Sequence, residues 1–246
     1  SHADALNNLA GLLLFSKRAS EAAVLYQRVI ETSPSRIDAL HNLALAMESM
    51  GKLPEAEDCC RRALAAEPGF ISARNTLGHV LQAQGRLTEA EAVYREAVAM
   101  CPESNESQAN LGKVLLDLHC YEEAESVLLA ALRLKPGVAA IHCNLGLAAL
   151  AQGRYEEAEA RCREAIRLDP ANAHYFYDLG FVFQESGRLE LAEMEYIEAL
   201  RLDPRLAVAM NNLGLVYALQ GRLAEAEASF LEAMKCDPDC AKFLVS

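Results

Sequence analysis

Apolar residues recur along this chain with the spacing of one helical face, and that helical pattern itself returns every 34 residues. Between Ile37 and Met50 the apolar positions Leu40, Leu43, Ala44 and Met47 fall on one side of a helix. Gly51 follows where a left-handed residue ends a helix, and Pro54 sits where a first helical turn tolerates proline. Glu55 and Glu57 stand near the positive end of a second helix, whose stripe is Ala56, Cys60, Ala63 and Leu64. Pro68 stops it. The motif Asn211-Asn212-Leu213-Gly214, closed by Pro238, recurs as Tyr177-Asp178-Leu179-Gly180 closed by Pro204 and as Cys143-Asn144-Leu145-Gly146 closed by Pro170. Prolines at 34, 68, 102, 136, 170, 204 and 238 keep this period without slip. A fixed period of this size predicts stacked helix–turn–helix units, each burying a face that it cannot bury alone.

The units run 3–36, 37–70, 71–104, 105–138, 139–172, 173–206 and 207–240, with the start of an eighth at 241–246. They are expected to form one all-α solenoid over 1–246, because stacked units share a continuous core. Gly51, Gly85, Gly153, Gly187 and Gly221 occupy the turn between the two helices. Lys17 and His119 replace glycine there, where a slightly strained turn is expected. Ala22, Ala56, Ala90, Ala124, Ala158, Ala192 and Ala226 recur at one place in the second helix, and Ala10, Ala44, Gly78, Gly112, Gly146, Gly180 and Gly214 at one place in the first. Side chains this small let the two helices of a unit approach, so leucine at these sites would cost roughly 1–3 kcal/mol.

The Leu-Gly pair, the recurrent alanine, the aromatic or leucine after it and the closing proline resemble the tetratricopeptide repeat family over Ala3 to Cys240. The tryptophan usual near the start of the first helix is missing; Leu6, Leu40, Arg74, Gln108, His142, Phe176 and Met210 stand there, which marks Arg74 and Gln108 for altered local packing. The resemblance implies a right-handed superhelix with first helices lining a concave groove. Neither end reads as a polar cap, and Phe243-Leu244-Val245 would open the first helix of the eighth unit. That pattern suggests a piece of a longer protein or ends that stack on other copies; Ser1-His2 looks like a cloning remnant.

Lys plus Arg number 23 against 35 Asp plus Glu, a net charge of −12. With no basic run, nucleic acid and anionic membrane surfaces are poor partners. The longest apolar run, Leu9 to Phe15, is too short to span a bilayer. The eight cysteines sit at unrelated repeat positions apart from Cys60 and Cys162, which read as core fillers; a reducing compartment, the cytoplasm, fits this usage.

The candidate site is the groove. Asn8, Asn42, Asn110, Asn144 and Asn212 share one first-helix position, with Thr76 and Asp178 substituting, and Asn7, Asn75 and Asn211 lie one residue earlier. Asparagine is a mediocre helix former, so its recurrence in mid-helix suggests a compensating use. A carboxamide donates and accepts, matching a peptide bond, and a row of them could grip an extended backbone. This ladder is similar to the groove asparagines of O-linked N-acetylglucosamine transferases, where they hold substrate peptides. The competing reading is that each asparagine bonds within or between repeats. Units two and three present Asp38, His41, Glu48, Asn75, His79 and Gln82, a polar stretch; units five to seven present Leu147, Leu150, Tyr177, Phe181, Leu215 and Leu219, an apolar strip of the kind that marks a partner site.

The basic clamp by which related domains hold acidic chaperone tails is absent, since Asn7, Gly11, Asn42, Asn75 and His79 stand at those positions. Cys236 and Cys240 lack further ligands for zinc. Of the Cys59-Cys60 pair, one is expected in the core and the other near the surface. Glu-Ala-Glu pairs such as Glu157 and Glu159 diverge on a helix and read as a solvated face. No phosphate loop or nucleophile motif occurs. The chain is therefore expected to be a non-catalytic scaffold, with no cofactor, that binds a peptide or helix of another protein. The alternatives are a substrate-recruiting arm of a larger enzyme such as a glycosyltransferase, or a scaffold that self-associates end to end.

Overall fold

The computed structural model describes residues 2–237, so Pro238, Cys240 and the start of the eighth unit lie outside the described residues. Those residues form helices joined by short turns, with no strand among them. By contacts the chain divides into two compact units, Ser1–Cys120 and Tyr121–Ser246. The first holds α1 (His2–Phe15), α2 (Ala19–Thr32), α3 (Ile37–Ser49), α4 (Leu53–Ala66), α5 (Ile71–Ala83), α6 (Leu87–Met100) and α7 (Asn105–Asp117). The second holds α8 (Tyr121–Leu134), α9 (Ala139–Ala151), α10 (Tyr155–Leu168), α11 (Ala173–Glu185), α12 (Leu189–Leu202), α13 (Ala207–Leu219) and α14 (Leu223–Cys236). Odd-numbered helices are the first helices of the repeats.

The turns close as the glycine spacing predicts. Gly51 has φ +73°, and the bonds Gly51 N to Glu48 O and Lys52 N to Met47 O cap the last carbonyls of α3. Lys17 and His119 take the same conformation at φ +59° and +61°, where a Cβ is disfavoured. Within each unit, successive first helices pack side by side, as α3 does on α5 and α11 on α13, whereas the backbones of successive second helices stay apart. First helices therefore line the inner face of each unit.

The recurrent alanines of the second helices, Ala22 through Ala226, are all buried. The first-helix glycines have a different role from simple helix approach. A Cβ on Gly78 would lie 2.4 Å from the Tyr94 ring, on Gly180 2.8 Å from Tyr196, on Gly214 2.7 Å from Phe230 and on Gly146 2.8 Å from the Cys162 sulfur. The space is filled by the side chain sixteen residues on. Glycine here accommodates an aromatic ring. In the second unit Tyr196 and Cys162 join Leu179, Val182, Phe183, Leu213 and Val216 in one core.

Three of the seven positions that replace the tryptophan make one common bond. Arg74 Nη2, Gln108 Nε2 and His142 Nε2 each reach the carbonyl of the closing proline six residues earlier, Pro68, Pro102 and Pro136, at 2.9, 2.6 and 3.0 Å. The altered packing at Arg74 and Gln108 is thus a tie between the repeat-closing loop and the next first helix. The cysteine doublet corrects one expectation: Cys59 is buried alongside Cys60, at 5% and 0% exposure, because Cys59 faces the neighbouring repeat while Cys60 faces its own. Burial pushes the Cys60 thiol up to about 12.

The glutamates that directly follow the recurrent alanine, most of them in Glu-Ala-Glu pairs, do more than face solvent. Glu57 pairs with Arg86 at 2.7 Å, Glu125 with Arg154 at 2.5 Å, Glu159 with Arg188 at 2.6 Å and Glu193 with Arg222 at 2.7 Å. Each bond crosses from one repeat to the turn of the next, 29 residues on. Arg86, Arg154 and Arg222 also pair with the glutamate three residues later, so one guanidinium holds two helices.

Candidate functional site

The ladder residues stand on the first helices, and hydrogen bonding sorts them into two sets. Thr76 Oγ1 lies 3.0 Å from His41 Nε2, and Asp178 Oδ2 accepts from the Cys143 thiol at 2.8 Å. Asn212 Nδ2 donates to the Tyr177 and Tyr196 hydroxyls, both at 3.4 Å. In three cases the partner lies 35 residues earlier, on the preceding repeat. These members tie repeats together. By contrast Asn8, exposed on α1, and half-buried Asn42, Asn110 and Asn144 make no side-chain hydrogen bond among the described residues.

The difference follows from what stands 35 residues before. Asn7, the neighbour available to Asn42, is drawn instead to Asp38 Oδ2 at 3.3 Å. Asn75, in the same relation to Asn110, is 3% exposed and its Oδ1 accepts from Ser107 Oγ at 3.1 Å. Asn144 is the first ladder residue of its unit, with no preceding first helix in that unit to bond. Lining up positions 35 apart shows which partner each ladder residue could meet, but the competitors Asp38 and Ser107 decide whether it does. Asn75 itself, expected in the groove, is buried and bonded between repeats.

In the first unit, Glu48 of α3, His79, Gln82 and Ala83 of α5 and Asn110, Lys113 and Asp117 of α7 line a cleft of about 320 Å³. Tyr94 donates to Gln82 Oε1 at 2.8 Å, and Gln82 Nε2 donates to Asp117 Oδ2 at 3.0 Å, which fixes one wall. His79 is exposed and lies edge-on to Tyr94, with ring centroids 6.0 Å apart. His41 packs edge-on to Phe70 at 5.2 Å, and burial lowers its pKa, keeping the imidazole neutral on Thr76. His41 and His79 thus have separate partners.

In the second unit Leu147, Leu150, Phe181 and Leu215 are half-buried and Leu219 is 66% exposed, so the apolar strip is partly open. Tyr177 is half-buried against the core, 5.8 Å from the Tyr196 ring. Burial raises the Asp178 carboxyl above the usual carboxylate range, while the Cys143 thiol and His174 oppose this. Among the described residues no group of three or more His, Cys, Asp or Glu could hold a metal, and no helix is long and apolar enough to cross a membrane.

Solved structures match this architecture. That of an APC/C hetero-tetramer, Cut9-Hcn1, superposes with a TM-score of 0.82 at 17% identity over 93% of this chain and 45% of the other, so the present chain spans less than half that protein's length. A tetratricopeptide repeat protein from Parabacteroides merdae superposes with a TM-score of 0.81 at 17% identity, over 96% of this chain and 93% of that one. YrrB, described as a TPR protein with an unusual peptide-binding site, gives 0.54 at 22% identity over 75% of this chain and 95% of its own. No curated protein matches in sequence. Four family models, each described as tetratricopeptide repeat, match residues 13–80, 70–101, 109–173 and 169–239. Repeat for repeat, in sequence as in helix packing, the chain belongs to the tetratricopeptide repeat family.

Proposed function

We propose that this chain is a protein-interaction scaffold whose units each hold an extended segment of a partner on their inner face, gripping its backbone through Asn42 and Asn110 in the first unit and through Asn144 in the second. The observation that carries the reading is the division of the ladder. Three half-buried carboxamides on first helices have no internal partner, although the same position elsewhere is engaged between repeats. A helix gains nothing from asparagine left in this way. The partly open leucines and Phe181 of the second unit supply an apolar neighbour for side chains of the segment. Among the structural neighbours, YrrB is described by a peptide-binding site, which agrees with this class of ligand.

The test is a titration of isotope-labelled protein, followed by NMR, with a neutral nonapeptide of alternating serine and alanine. Wild type should show shifts at the side-chain amides of Asn42, Asn110 and Asn144. Replacing all three by alanine should leave helicity unchanged and remove three backbone bonds of about 0.5–1.5 kcal/mol each, a loss of at least tenfold in affinity. Equal binding by the triple variant would return the free carboxamides to a passive role.

A further inference from the structure

Glu48 stands where the third and sixth repeats carry Gln82 and Gln184. Each of those glutamines accepts from a tyrosine of its own repeat, Tyr94 or Tyr196, at 2.8 and 2.9 Å. The second repeat has Cys60 at the tyrosine position, so no hydroxyl reaches Glu48. Its half-buried carboxylate makes no hydrogen bond or ion pair among the described residues. The opposite wall of the cleft carries Asp117, one oxygen of which is held by Gln82 while the other remains available. Between them Asn110 buries its Nδ2 without an acceptor, leaving its oxygen as the atom presented outward. Three acceptors on two helices, α3 and α7, thus converge on one cleft of about 320 Å³, roomy enough for a long side chain.

We infer that this cleft is a subsite for a cationic side chain, an arginine above all, carried by the partner segment. The inference rests on the groove reading and adds the chemistry of one residue of the ligand. A guanidinium offers five N–H donors in a planar fork, which suits two carboxylates and a carbonyl set around it. A carboxylate left half-buried without a counter-charge is costly, and a bound cation removes that cost. Burial raises the Glu48 carboxyl above its usual range, with His79 opposing, as expected for an acid awaiting a cation. Lys113 is the one lysine or arginine among the lining residues; it is exposed, at the rim, with no ion pair among the described residues. It opposes the cation there and sets a limit on the preference.

The experiment uses two fluorescein-labelled nonapeptides of alternating serine and alanine, one with a central arginine and one with citrulline, its uncharged isostere. Anisotropy and NMR titrations of the full chain should show the arginine peptide binding about fivefold or more tightly at low salt, with the preference shrinking as salt screens the charges. Glu48→Gln and Asp117→Asn should each reduce the ratio, and the double variant should bring it near one while leaving the citrulline peptide within twofold. Lys113→Ala should increase the ratio. Equal binding of the two peptides by wild type, or a preference that survives the double variant, overturns the cationic subsite and leaves the backbone grip standing. If neither peptide shifts any inner-face resonance at millimolar concentration, the groove reading falls and the subsite with it.

Discussion

Gly78→Ala probes the packing rule and the cleft together. An ideal Cβ at Gly78 falls 2.4 Å from two ring carbons of Tyr94, whereas carbon atoms rest about 3.5–4.0 Å apart. The ring must therefore retreat by roughly 1 Å, yet Tyr94 is fully buried and its hydroxyl is held by Gln82. Overpacking of this kind costs about 1–3 kcal/mol, and loss of the hydroxyl bond about 0.5–1.5 kcal/mol. Alanine returns about 1 kcal/mol as the better helix former. The balance is a destabilisation of about 2 kcal/mol, centred on α5 and α6. Urea midpoints give the size, and hydrogen exchange gives the place, which matters because a repeat array need not unfold as one unit. Tyr94→Cys recreates the pairing of Ala44 with Cys60 found in the second repeat. It should accordingly be less damaging in the Gly78→Ala background than alone. A Gly78→Ala variant with an unchanged or raised midpoint and undisturbed exchange in α5 and α6 would refute the reasoning.

Three further outcomes follow from the same geometry. Asp178→Asn should stabilise the fold at neutral pH by on the order of 1 kcal/mol, read as a raised thermal midpoint, since the carboxylate is desolvated and asparagine can still accept from Cys143. The raised native pKa means that the folded chain binds the extra proton first, so wild-type stability falls as pH rises from the ordinary aspartate value through the raised one; the advantage of the variant should be full above that window and fade on acidification. A double-mutant cycle on Glu159 and Arg188, read by urea midpoints, should give a coupling of about 0.5–1 kcal/mol that weakens in high salt. Lys17→Gly should stabilise by about 0.5–1 kcal/mol in thermal melts, because it relieves a left-handed residue at φ +59° against the entropy of a new glycine.

The helices, the turn glycines and the buried alanines were legible because each is a local property repeated five to seven times. One residue type at one offset needs no knowledge of its neighbours. What sequence reading left open depends on partners across repeats. The Glu57–Arg86 bond spans 29 residues, and a glutamate in a Glu-Ala-Glu pair looks solvated until the next turn is placed beside it. The fate of each ladder residue is set by the side chain 35 positions earlier and by competitors such as Asp38 and Ser107. The burial of Cys59 was not legible because a single helix turns the two members of a doublet to different sides, while the adjoining repeat covers Cys59. Glu48 was visible as a polar residue, but its want of a donor appears only beside the tyrosine-bound Gln82 and Gln184.

The arginine at the turn within a repeat answers a glutamate in the repeat before it, and in the second unit this holds at three successive junctions. Such junctions are interchangeable: any module that starts with that arginine and carries that glutamate can follow any other. Excision of residues 155–188 would join Arg154 directly to Leu189, leaving Arg154 to meet Glu125 and Arg222 to meet Glu193 as they do now. The reach of the scaffold can thus be shortened or lengthened by whole modules without redesigning a seam, which gives gene duplication a ready way to fit it to partners of different length.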